Sequence, residues 1–581
     1  MLDYSDYISE IPDVPHANFS SFLEAIERDN CDKPAILYRS GKQREFTRWS
    51  FGEFAGHCRR IARGLLAAGL VKGDRVVLWA ENRPEWMAVW MGTVIAGFTI
   101  VPVDALVTEE ECRNIIGITR AKAFFYSSRK KEFAATVAGK NMLVSVCISP
   151  DEDDETGANA GFESFGAGAA DQALPPASSF AENDPASIVF TSGTTGFAKG
   201  VTLSHKGIIA NASAAIRILQ PNSSDIFMDV LPLHHTYPTT CSFIAPLTVG
   251  VPTVIAEKII GKVVVDDIRD AGVTFLIAVP LLYDKVMAAL SAGYNKLPGI
   301  IRAPLNVLRK IALAEAKKGN PEFGRKVFRF IRKKAGLASI QILVAGGGPL
   351  SPRTADFFDS LGFNMVHGYG MSENGPLISV NTPRHRNNVS VGLPVSYTEV
   401  KILEPNEDGI GEIAVKSPSL MLGYFENEAG TKEVFTDDGF LMTGDLGFRD
   451  EKGFIYINGR KKNLIVSSGG KNIYPEEIEA HFNNSRVIAE ILVVGRRERD
   501  NGNEQIVAVT VPNIETLQED YPEKELDEAF IKELIKKEIE VANRSLPGYK
   551  KISDFILRDE PFEKNAQQKI RRFIYKSYEN P

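Results

Sequence analysis

The sequence predicts an α/β protein with a large N-terminal domain, residues 1–459, and a small α+β C-terminal domain, residues 460–581. Two stretches in which short apolar runs alternate with helical patterns predict two doubly wound βαβ subdomains. Short alternating runs punctuated by glycine, from about Val391 to Gly459, predict a small antiparallel β-barrel that completes the N-terminal domain. With 581 residues the chain is too long for one hydrophobic core, which supports several domains.

The first alternation begins after Lys72. A strand "RVVLWA" precedes a helix from Pro84 to Gly97 with Asn82 near its cap, and a strand "FTIVPV" follows. A helix from Thr108 and a strand "AKAFFYS" complete the pattern. This order predicts βαβ units on a parallel sheet.

The second alternation runs from "DIFMDVLPL" through an apolar helical stretch to "VPTVIA", a helix near Asp266, "VTFLIAVP" and a helix from Leu281 to Leu290. Small and acidic residues dominate the segment 151–179 that separates the two alternations. Because this segment has almost no core-forming residues, it is predicted to be an exposed, flexible loop.

Composition excludes several classes of function. The net charge is −7 and no long basic run occurs, which argues against nucleic-acid binding. The cysteines lie far apart, without the spacing of a zinc or redox site, and are expected to be buried thiols in a reducing cytosol: Cys31, Cys58, Cys112, Cys147 and Cys241. The first residues lack the order of a secretory signal, and no apolar run is long enough to span a membrane, so a cytoplasmic location is expected.

Peripheral membrane contact stays open because of "GIIRAPLNVLRKIALAEAKK", residues 299–318. This stretch is consistent with an amphipathic helix on a membrane surface. It is also consistent with an ordinary solvated helix face, which we favour at this point.

"FTSGTTGFAKG", from Phe190 to Gly200, combines glycines and hydroxyl residues and ends in Lys199. Such a backbone can approach a ligand closely and offer N–H and O–H donors, while the lysine supplies a cation, so the stretch is a candidate phosphate cradle. Ala198 stands where a P-loop NTPase needs glycine, which excludes that class. Alone, the stretch is equally consistent with an ordinary loop.

The stretch resembles the phosphate-loop signature of the AMP-forming acyl-CoA synthetase and adenylation-domain superfamily, which includes luciferases, although Ala198 replaces its usual proline. Further signatures follow in the family's order: "AGGGPL" at Ala345, "HGYGMSEN" at His367, "LMTGDLG" at Leu441, "GRKKNLIVSSGGKNIYPEEIE" at Gly459 and "NAQQKIRR" near the end. The resemblance covers essentially the whole chain.

This resemblance implies a nucleotide site. Lys199 and the loop would hold the β- and γ-phosphates of ATP, Glu373 would bind Mg²⁺, and Ser372 keeps the hydroxyl of a usual threonine. Asp445 would bind the ribose, and Arg460 would reach the ribose or the α-phosphate. The remaining residues expected around ATP are Thr191, Ser192, Gly193, Thr194, Thr195, Gly196, Gly347, Gly348, His367, Gly368, Tyr369, Gly370 and Met371, with the Tyr369 ring stacked on adenine.

The resemblance also implies a mobile C-terminal domain. Lys569 would contact the carboxylate and phosphates during adenylation, although Gln568 stands where relatives often carry glycine. Lys462 would be the hinge, and Gly469 and Gly470 would line the approach of the CoA thiol. His235 of "LPLHHTY" would lie near the acid. A metal site at His234 and His235 is rejected, because neighbouring side chains on a strand point to opposite faces.

The implied reaction has two steps: a carboxylate and ATP give acyl-AMP and pyrophosphate, and CoA then gives acyl-CoA and AMP. The segment 292–337 resembles an insertion of bacterial long-chain fatty acyl-CoA synthetases, which makes a long-chain fatty acid the expected substrate. Three alternatives stay open: an acyl-AMP ligase that feeds a carrier protein, a medium-chain or aryl acid–CoA ligase, and a non-catalytic acyl or nucleotide sensor. ATP, Mg²⁺, CoA and a fatty acid are the expected ligands, and the protein is expected to be a monomer or homodimer.

Overall fold

The computed structural model describes residues 16–39, 45–138, 141–149, 160–191, 199–256, 261–383, 386–466, 471–483, 485–497, 504–564 and 570–579. The chain divides into two compact units. The first unit comprises residues 1–191, 198–400 and 415–441. The second unit comprises residues 192–197, 401–414 and 442–581.

The strands of the described residues are β1 (Pro34–Tyr38), β2 (Thr47–Ser50), β3 (Arg75–Trp79), β4 (Thr99–Pro102), β5 (Ala123–Tyr126), β6 (Val144–Cys147), β7 (Pro185–Thr191), β8 (Lys199–Ser204), β9 (Phe227–Asp229), β10 (Thr253–Ile255), β11 (Phe275–Ala278), β12 (Ile342–Ala345), β13 (Asn364–Gly370), β14 (Leu377–Val380), β15 (Leu393–Pro394), β16 (Glu399–Leu403), β17 (Gly411–Lys416), β18 (Gly423–Tyr424), β19 (Leu441–Arg449), β20 (Ile455–Arg460), β21 (Ile465–Val466), β22 (Asn472–Ile473), β23 (Ile488–Arg497), β24 (Glu504–Pro512) and β25 (Asp554–Leu557).

The α-helices of the described residues are Phe19–Asn30, Phe51–Ala67, Pro84–Ile95, Glu109–Thr119, Lys131–Val137, Ala160–Ser164, His205–Leu219, Thr236–Pro238, Ala245–Thr248, Gly261–Ala271, Pro280–Asn295, Gly299–Lys317, Glu322–Val327, Arg329–Lys334, Pro352–Ser360, Glu428–Lys432, Pro475–Glu479, Ile514–Asp520 and Glu528–Ser545.

Two large sheets organise the first unit. One sheet has the order β18-β8-β7-β4-β3-β5-β6, and its central strands are parallel. The other has the order β15-β14-β13-β12-β11-β9-β10-β1-β2, with parallel pairs from β13 through to β1. The prediction of an α/β fold with two parallel, helix-connected sheets is therefore confirmed. The pairing of the N-terminal β1 with β10 was not predicted, because it joins segments that are far apart in the chain.

Local sequence explains where the first helices begin. Ser50 with Glu53, and Thr108 with Glu111, form capping boxes in which each side chain bonds the other residue's backbone N–H. The helix that starts at Pro84 is buried along its whole length and ends at Ile95. Its N-cap is Arg83, which makes no side-chain capping bond. Asn82 directly precedes this cap, as predicted, but its side chain bonds Asp229 and does not cap the helix.

The segment predicted to be an exposed loop is partly packed. Residues 151–159 lie outside the described residues, but a short helix spans Ala160–Ser164 and the Phe162 ring is fully buried. The Arg60 guanidinium lies over this ring, 4.6 Å from its centroid, and donates a hydrogen bond to the Phe162 carbonyl. The expectation of exposure throughout 151–179 is wrong at Phe162, because a single aromatic side chain suffices to anchor a polar segment.

The second unit contains three further sheets. The strands predicted between residues 391 and 459 form a four-stranded sheet with the order β16-β17-β19-β20, in which β19 and β20 are antiparallel. β21 pairs with β22, and β23, β24 and β25 form a three-stranded sheet. Apolar side chains from this last sheet and from the helix Glu528–Ser545 share one core, which includes Val493, Ile506 and Ile535. This part has the predicted α+β character.

No helix within the described ranges is both long enough and apolar enough to cross a membrane. Among the cysteines, Cys58, Cys112 and Cys241 are buried as expected. The expectation of five buried thiols is wrong at two positions: Cys147 is only half-buried, and Cys31, which follows the last residue of the helix Phe19–Asn30, is exposed.

Candidate active site

The predicted phosphate loop lies between two paired strands of the first unit. β7 ends at Thr191 and β8 begins at Lys199, and these two residues are partners in the antiparallel ladder. The Thr191 hydroxyl lies 3.4 Å from the Lys199 carbonyl oxygen and donates to it. The other predicted loop residues, Ser192, Gly193, Thr194, Thr195 and Gly196, lie outside the described residues. The structure thus shows the two ends of the loop.

The predicted metal ligand Glu373 lies in a short 3₁₀ turn, Ser372–Asn374, just after β13. The Met421 N–H donates to the Glu373 carbonyl at 2.8 Å, which fixes its backbone. The Ser372 hydroxyl lies 3.2 Å from the Thr236 hydroxyl. Thr236 follows His235 directly, so the turn with Glu373 touches the segment that carries the predicted acid-binding histidine.

Tyr424 on β18 links Lys199 and Glu373. Its hydroxyl donates to Glu373 Oε1 at 3.0 Å, and Lys199 Nζ lies 4.5 Å from the centroid of its ring. β18 pairs with β8, where Tyr424 is the partner of Val201. Burial, and then the neighbouring Glu373 charge, raises the pKa of Tyr424, so the phenol keeps its proton and stays a donor. Lys199, predicted to contact the phosphates, and Glu373, predicted to bind the metal, therefore both contact the Tyr424 side chain.

A buried amide pair holds the Glu373 turn against the helix that follows β8. The Asn211 amide donates to the carbonyls of Asn374 and Leu377 at 3.1 and 3.0 Å, and its oxygen accepts from the Leu377 N–H at 3.0 Å. The Asn374 side chain donates to the Leu377 carbonyl and accepts from Ser417. Both asparagines are almost fully buried, at 1% and 0% exposure, so the loss of either would leave polar groups without partners.

The residues expected around adenine lie at the ends of β12 and β13. The main chain at Gly347 has a φ of 81°, a conformation that favours glycine. His367 Nε2 lies 3.0 Å from the Gly348 carbonyl oxygen, and burial lowers the pKa of His367 to about 4. The ring is therefore neutral, and its Nε2–H donates to Gly348. This hydrogen bond joins the segment after β12, which contains Gly347 and Gly348, to β13, which contains His367.

The other residues of this group continue along β13 into the Glu373 turn. Gly368 is buried, Tyr369, Met371 and Ser372 are half-buried, and Gly370 is exposed. The segment thus passes from the core to the surface at the point where Tyr369 is expected to stack on the base.

His234 and His235 follow β9, and their ring centroids lie 4.0 Å apart. Burial lowers the pKa of both histidines. His234 Nε2 lies 3.5 Å from Asp104 Oδ2, a contact between a neutral ring and a carboxylate. The described ranges contain no cluster of three or more His, Cys, Asp or Glu residues that could hold a metal ion.

Asn82 holds the turn that leads to these histidines. Its amide donates to Asp229 Oδ2 at 2.7 Å and to the Leu231 carbonyl at 2.5 Å, and its oxygen accepts from the Leu233 N–H at 2.8 Å. Asp229 is fully buried. Asn82 lies in the connection that follows β3 of one large sheet, and Asp229 is the last residue of β9 in the other. Their hydrogen bond therefore links the two sheets.

Asp445 and Arg460 meet in the second unit. They are partners across β19 and β20, with Arg460 Nε 2.9 Å from Asp445 Oδ1. Arg460 also donates to the Thr443 carbonyl at 3.0 Å. Burial, followed by the charges of Arg460 and Arg572, lowers the pKa of Lys462 to about 8. The predicted ribose residues and the predicted hinge therefore form one charged cluster.

Three predicted residues of the second unit, Gly469, Gly470 and Lys569, lie outside the described residues. Lys564 and Ile570, on either side of the segment with Lys569, pair as an antiparallel bridge. Arg572 beyond it forms an ion pair with Glu479 and donates to the Val493 carbonyl at 3.2 Å. The flanks of this segment are thus attached to the C-terminal three-stranded sheet.

Sequence reasoning missed three supporting residues: Tyr424, Asn211 and Asn82. Each is an uncharged residue far along the chain from the group it supports, and the bond from Tyr424 to Glu373 spans 51 residues. Of the three, only Asn82 could have been recognised from the sequence as a candidate site residue, because it is a polar residue that follows a buried strand.

Comparison with known proteins shows which family the chain belongs to. Residues 22–425 match the model of the AMP-binding enzyme family, and residues 462–580 match the model of the AMP-binding enzyme C-terminal domain. Long chain acyl-CoA synthetase 7, peroxisomal, of Arabidopsis thaliana is 27% identical over 88% of this chain and 76% of its own length. Long-chain-fatty-acid–CoA ligase FadD15 of Mycobacterium bovis is 28% identical over 83% of this chain and 80% of its own length.

Solved structures share the fold. ATP-bound MatB from Rhodopseudomonas palustris superposes with a TM-score of 0.76 at 24% identity, over 97% of this chain and 99% of that one. The anthranilate CoA ligase AuaEII with anthranoyl-AMP gives 0.76 at 19% identity over 98% and 99%. o-Succinylbenzoate CoA synthetase from Bacillus subtilis with ATP and magnesium gives 0.71 at 22% over 95% and 98%.

A family model that spans most of the chain, a matching C-terminal model and the shared fold lead to one conclusion: this chain belongs to the AMP-binding enzyme family.

Proposed function

We propose that the protein is an AMP-forming acid–CoA ligase that activates a long-chain fatty acid. The observation that carries the catalytic part of this proposal is the Lys199–Tyr424–Glu373 arrangement, in which a cation and a carboxylate are held on one tyrosine. A nucleoside triphosphate with its metal ion needs both a cation and a carboxylate, because the phosphates attract the cation and the metal attracts the carboxylate.

The side chains fit a magnesium–ATP complex. Mg²⁺ usually binds one or two protein carboxylates and completes its shell with phosphate oxygens and water. Glu373 is half-buried, and its Oε1 is oriented by Tyr424, so the carboxylate is presented in a fixed direction. Lys199 supplies a point charge for the β- and γ-phosphates. When bound, the metal ion would neutralise charge on the phosphates.

In the first step the substrate carboxylate oxygen attacks the α-phosphorus of ATP, and pyrophosphate leaves. We assign Lys569 to the developing charge, Asp445 to the ribose and Arg460 to the ribose or α-phosphate. His235 is assigned to the acid, on the turn held by Asn82. Gly347, Gly348 and Tyr369 are assigned to adenine. Cations and oriented donors are needed because two anions must meet.

In the second step the CoA sulfur attacks the acyl carbonyl carbon, and AMP leaves. We assign Lys462 to the hinge, and Gly469 and Gly470 to the approach of the thiol. A boundary at 459/460 between a large domain and a mobile C-terminal domain belongs to the same proposal, as does a cytoplasmic location. A hinge places the large backbone change at a few element-end residues, and Lys462 follows the end of β20 directly.

The choice of acid rests on relatives. The Arabidopsis and Mycobacterium proteins are named as long-chain enzymes, whereas the structural neighbours include ligases of anthranilate and o-succinylbenzoate. An aryl or medium-chain acid is therefore the second candidate, and a carrier protein is the alternative acceptor to CoA.

Pyrophosphate and acyl-CoA should be measured with saturated fatty acids from butyric to arachidic acid, with and without CoA. We expect both products, with a maximum among long chains. Pyrophosphate without thioester would favour a carrier-protein ligase. A maximum with anthranilate or another aryl acid would contradict the fatty-acid assignment.

Lys569→Ala tests the mechanism. It should abolish acyl-AMP formation while ATP binding is kept. The matched control is Lys551→Ala, an exposed lysine of the same unit, which should leave adenylation unchanged. Unchanged adenylation by Lys569→Ala would refute the assigned role.

A further inference from the structure

The helix Gly299–Lys317 packs one of its faces against the core of the first unit. Ala312 and Ala316 on this face are buried. Leu305 and Leu308 are partly buried against a core cluster that includes Met287, Ala312 and Phe328. These positions follow the spacing of one helical face, so the inner side of the helix is accounted for by ordinary packing.

The opposite face is also apolar and lies open. Five exposed residues recur at intervals of three or four positions and define what we call the outer stripe: Ile300, Pro304, Val307, Ile311 and Ala314. Ile300 is 86% exposed, Val307 57% and Ile311 44%. From Ile300 to Ile311 the stripe is about 16 Å long, from the helical rise. A helix that is apolar on both faces is normally buried on both, so the outer stripe indicates a partner.

The surrounding segment is strongly basic. Residues 299–334 contain eleven lysines and arginines but only two acidic residues, in a chain whose net charge is −7. Two of the arginines serve the interior: Arg309 donates to the Ser360 hydroxyl at 3.2 Å, and Arg332 donates to the Gly362 carbonyl at 2.8 Å. The exposed basic residues are Lys310, Lys317, Lys318, Lys326, Arg329, Lys333 and Lys334.

The next helices repeat this chemistry. Phe330, on the helix Arg329–Lys334, is 77% exposed, and Val327 before it is 36% exposed. Large exposed apolar side chains and exposed cations therefore alternate through three consecutive helices. A nucleic acid would use the cations but not the apolar side chains, whereas a lipid surface with anionic headgroups uses both.

We propose that the outer stripe docks this protein on an anionic lipid bilayer, with the exposed lysines and arginines of 299–334 on the headgroups. The apolar side chains enter the boundary between headgroups and acyl chains, and the cations are attracted to the negative surface. This interpretation replaces the ordinary solvated face that we favoured from sequence. It stands independently of which acid the enzyme activates.

The test is cosedimentation of the full-length protein with vesicles. The probes are vesicles of phosphatidylglycerol mixed equally with phosphatidylcholine, and vesicles of phosphatidylcholine alone. We expect binding to the anionic vesicles at least ten-fold stronger than to the neutral ones, with binding that weakens as salt is raised because salt screens the lysines. Equal binding to both kinds of vesicle, or none to either, would overturn the proposal.

Val307→Asp places a negative charge in the outer stripe and should reduce binding to anionic vesicles at least ten-fold. Val541→Asp is the matched control, because Val541 is 64% exposed on the helix Glu528–Ser545 of the other unit. This control should bind as the wild type does. Equal loss in both variants would contradict a specific role for the stripe.

Two further measurements separate the proposal from its alternatives. Acyl-CoA formation from a soluble acid without vesicles should be the same in Val307→Asp and wild type. A loss of activity in the variant alone would indicate a folding defect, whereas no activity in either protein would contradict the proposed enzymatic function. Light scattering gives the mass in solution. If wild type is a dimer that Val307→Asp converts to a monomer, and vesicles bind neither protein, the stripe is an interface between two copies and the lipid proposal is wrong.

Discussion

Tyr424→Phe isolates one bond of the candidate site. The substitution keeps the ring beside Lys199 and removes the hydroxyl that donates to Glu373 Oε1 at 3.0 Å. A hydrogen bond to a charged group contributes about 1.5–3 kcal/mol. Glu373 is only half-buried and water can partly replace the lost donor, so we expect the lower end, about 1.5 kcal/mol. A difference of about 1.4 kcal/mol is tenfold, so kcat/KM for ATP should fall about tenfold.

The assay is pyrophosphate release with ATP and Mg²⁺ varied independently. Because the lost bond orients the carboxylate, the Mg²⁺ concentration needed for half-maximal activity should rise, while KM for the acid stays unchanged. Tyr424→Leu also removes the ring from Lys199, and a cation–π contact contributes about 0.5–2 kcal/mol. This second variant should therefore lose several-fold more.

Tyr456→Phe is the matched control, since the Tyr456 hydroxyl also donates to a carboxylate at 3.0 Å, that of Asp450, which is not among the assigned site residues. It should leave the ATP and Mg²⁺ dependence unchanged. A stable Tyr424→Phe enzyme with wild-type ATP and Mg²⁺ kinetics would refute our reasoning. A loss confined to KM for the acid would do the same.

Three further predictions concern stability. Burial lowers the pKa of His367 to about 4, so below pH 6.5 the unfolded chain takes up a proton that the native ring refuses, and stability is lost as the pH falls from 6.5 to 4. The melting temperature of the wild type should therefore fall more over this range than that of His367→Asn, and parallel curves would contradict the assignment. Asn82→Ala leaves the Leu233 N–H and the Leu231 carbonyl without their partner, which should cost about 1–3 kcal/mol and reduce adenylation, and an enzyme with unchanged melting and activity would show that the bond is dispensable. Gly346→Ala would bring a Cβ to 2.8 Å from the Tyr237 ring and should cost about 1–3 kcal/mol by overpacking, whereas Gly293→Ala, which meets no atom within 4 Å, should not destabilise; equal melting temperatures for the two would contradict the crowding.

The fold class was predictable because its evidence is local in the sequence. The strand "RVVLWA" was predicted at 75–80 and is found at Arg75–Trp79. The helix after Thr108 begins where its capping box requires. Proline, capping residues and periodic apolar positions act within a few residues of each other, so a single sequence contains the information.

The assigned nucleotide residues were identified from motifs, and the structure adds how some of them are held. Asp445 and Arg460 lie 15 positions apart in the sequence and are partners across β19 and β20. The register of that pair is set by the backbone ladder, which motif reasoning does not address. The ends of the phosphate loop likewise meet through the ladder of β7 and β8.

The sequence by itself therefore determined the alternation of strands and helices, the helix starts and the family signatures with their assigned residues. Only the tertiary structure decided that Tyr424 joins Lys199 to Glu373, that Asn82 bonds Asp229 across 147 residues, and that the outer face of Gly299–Lys317 is left open. The physical reason is that periodicity and capping depend on neighbours in the chain, whereas these contacts depend on which strands pair and which helix faces find a surface to pack against.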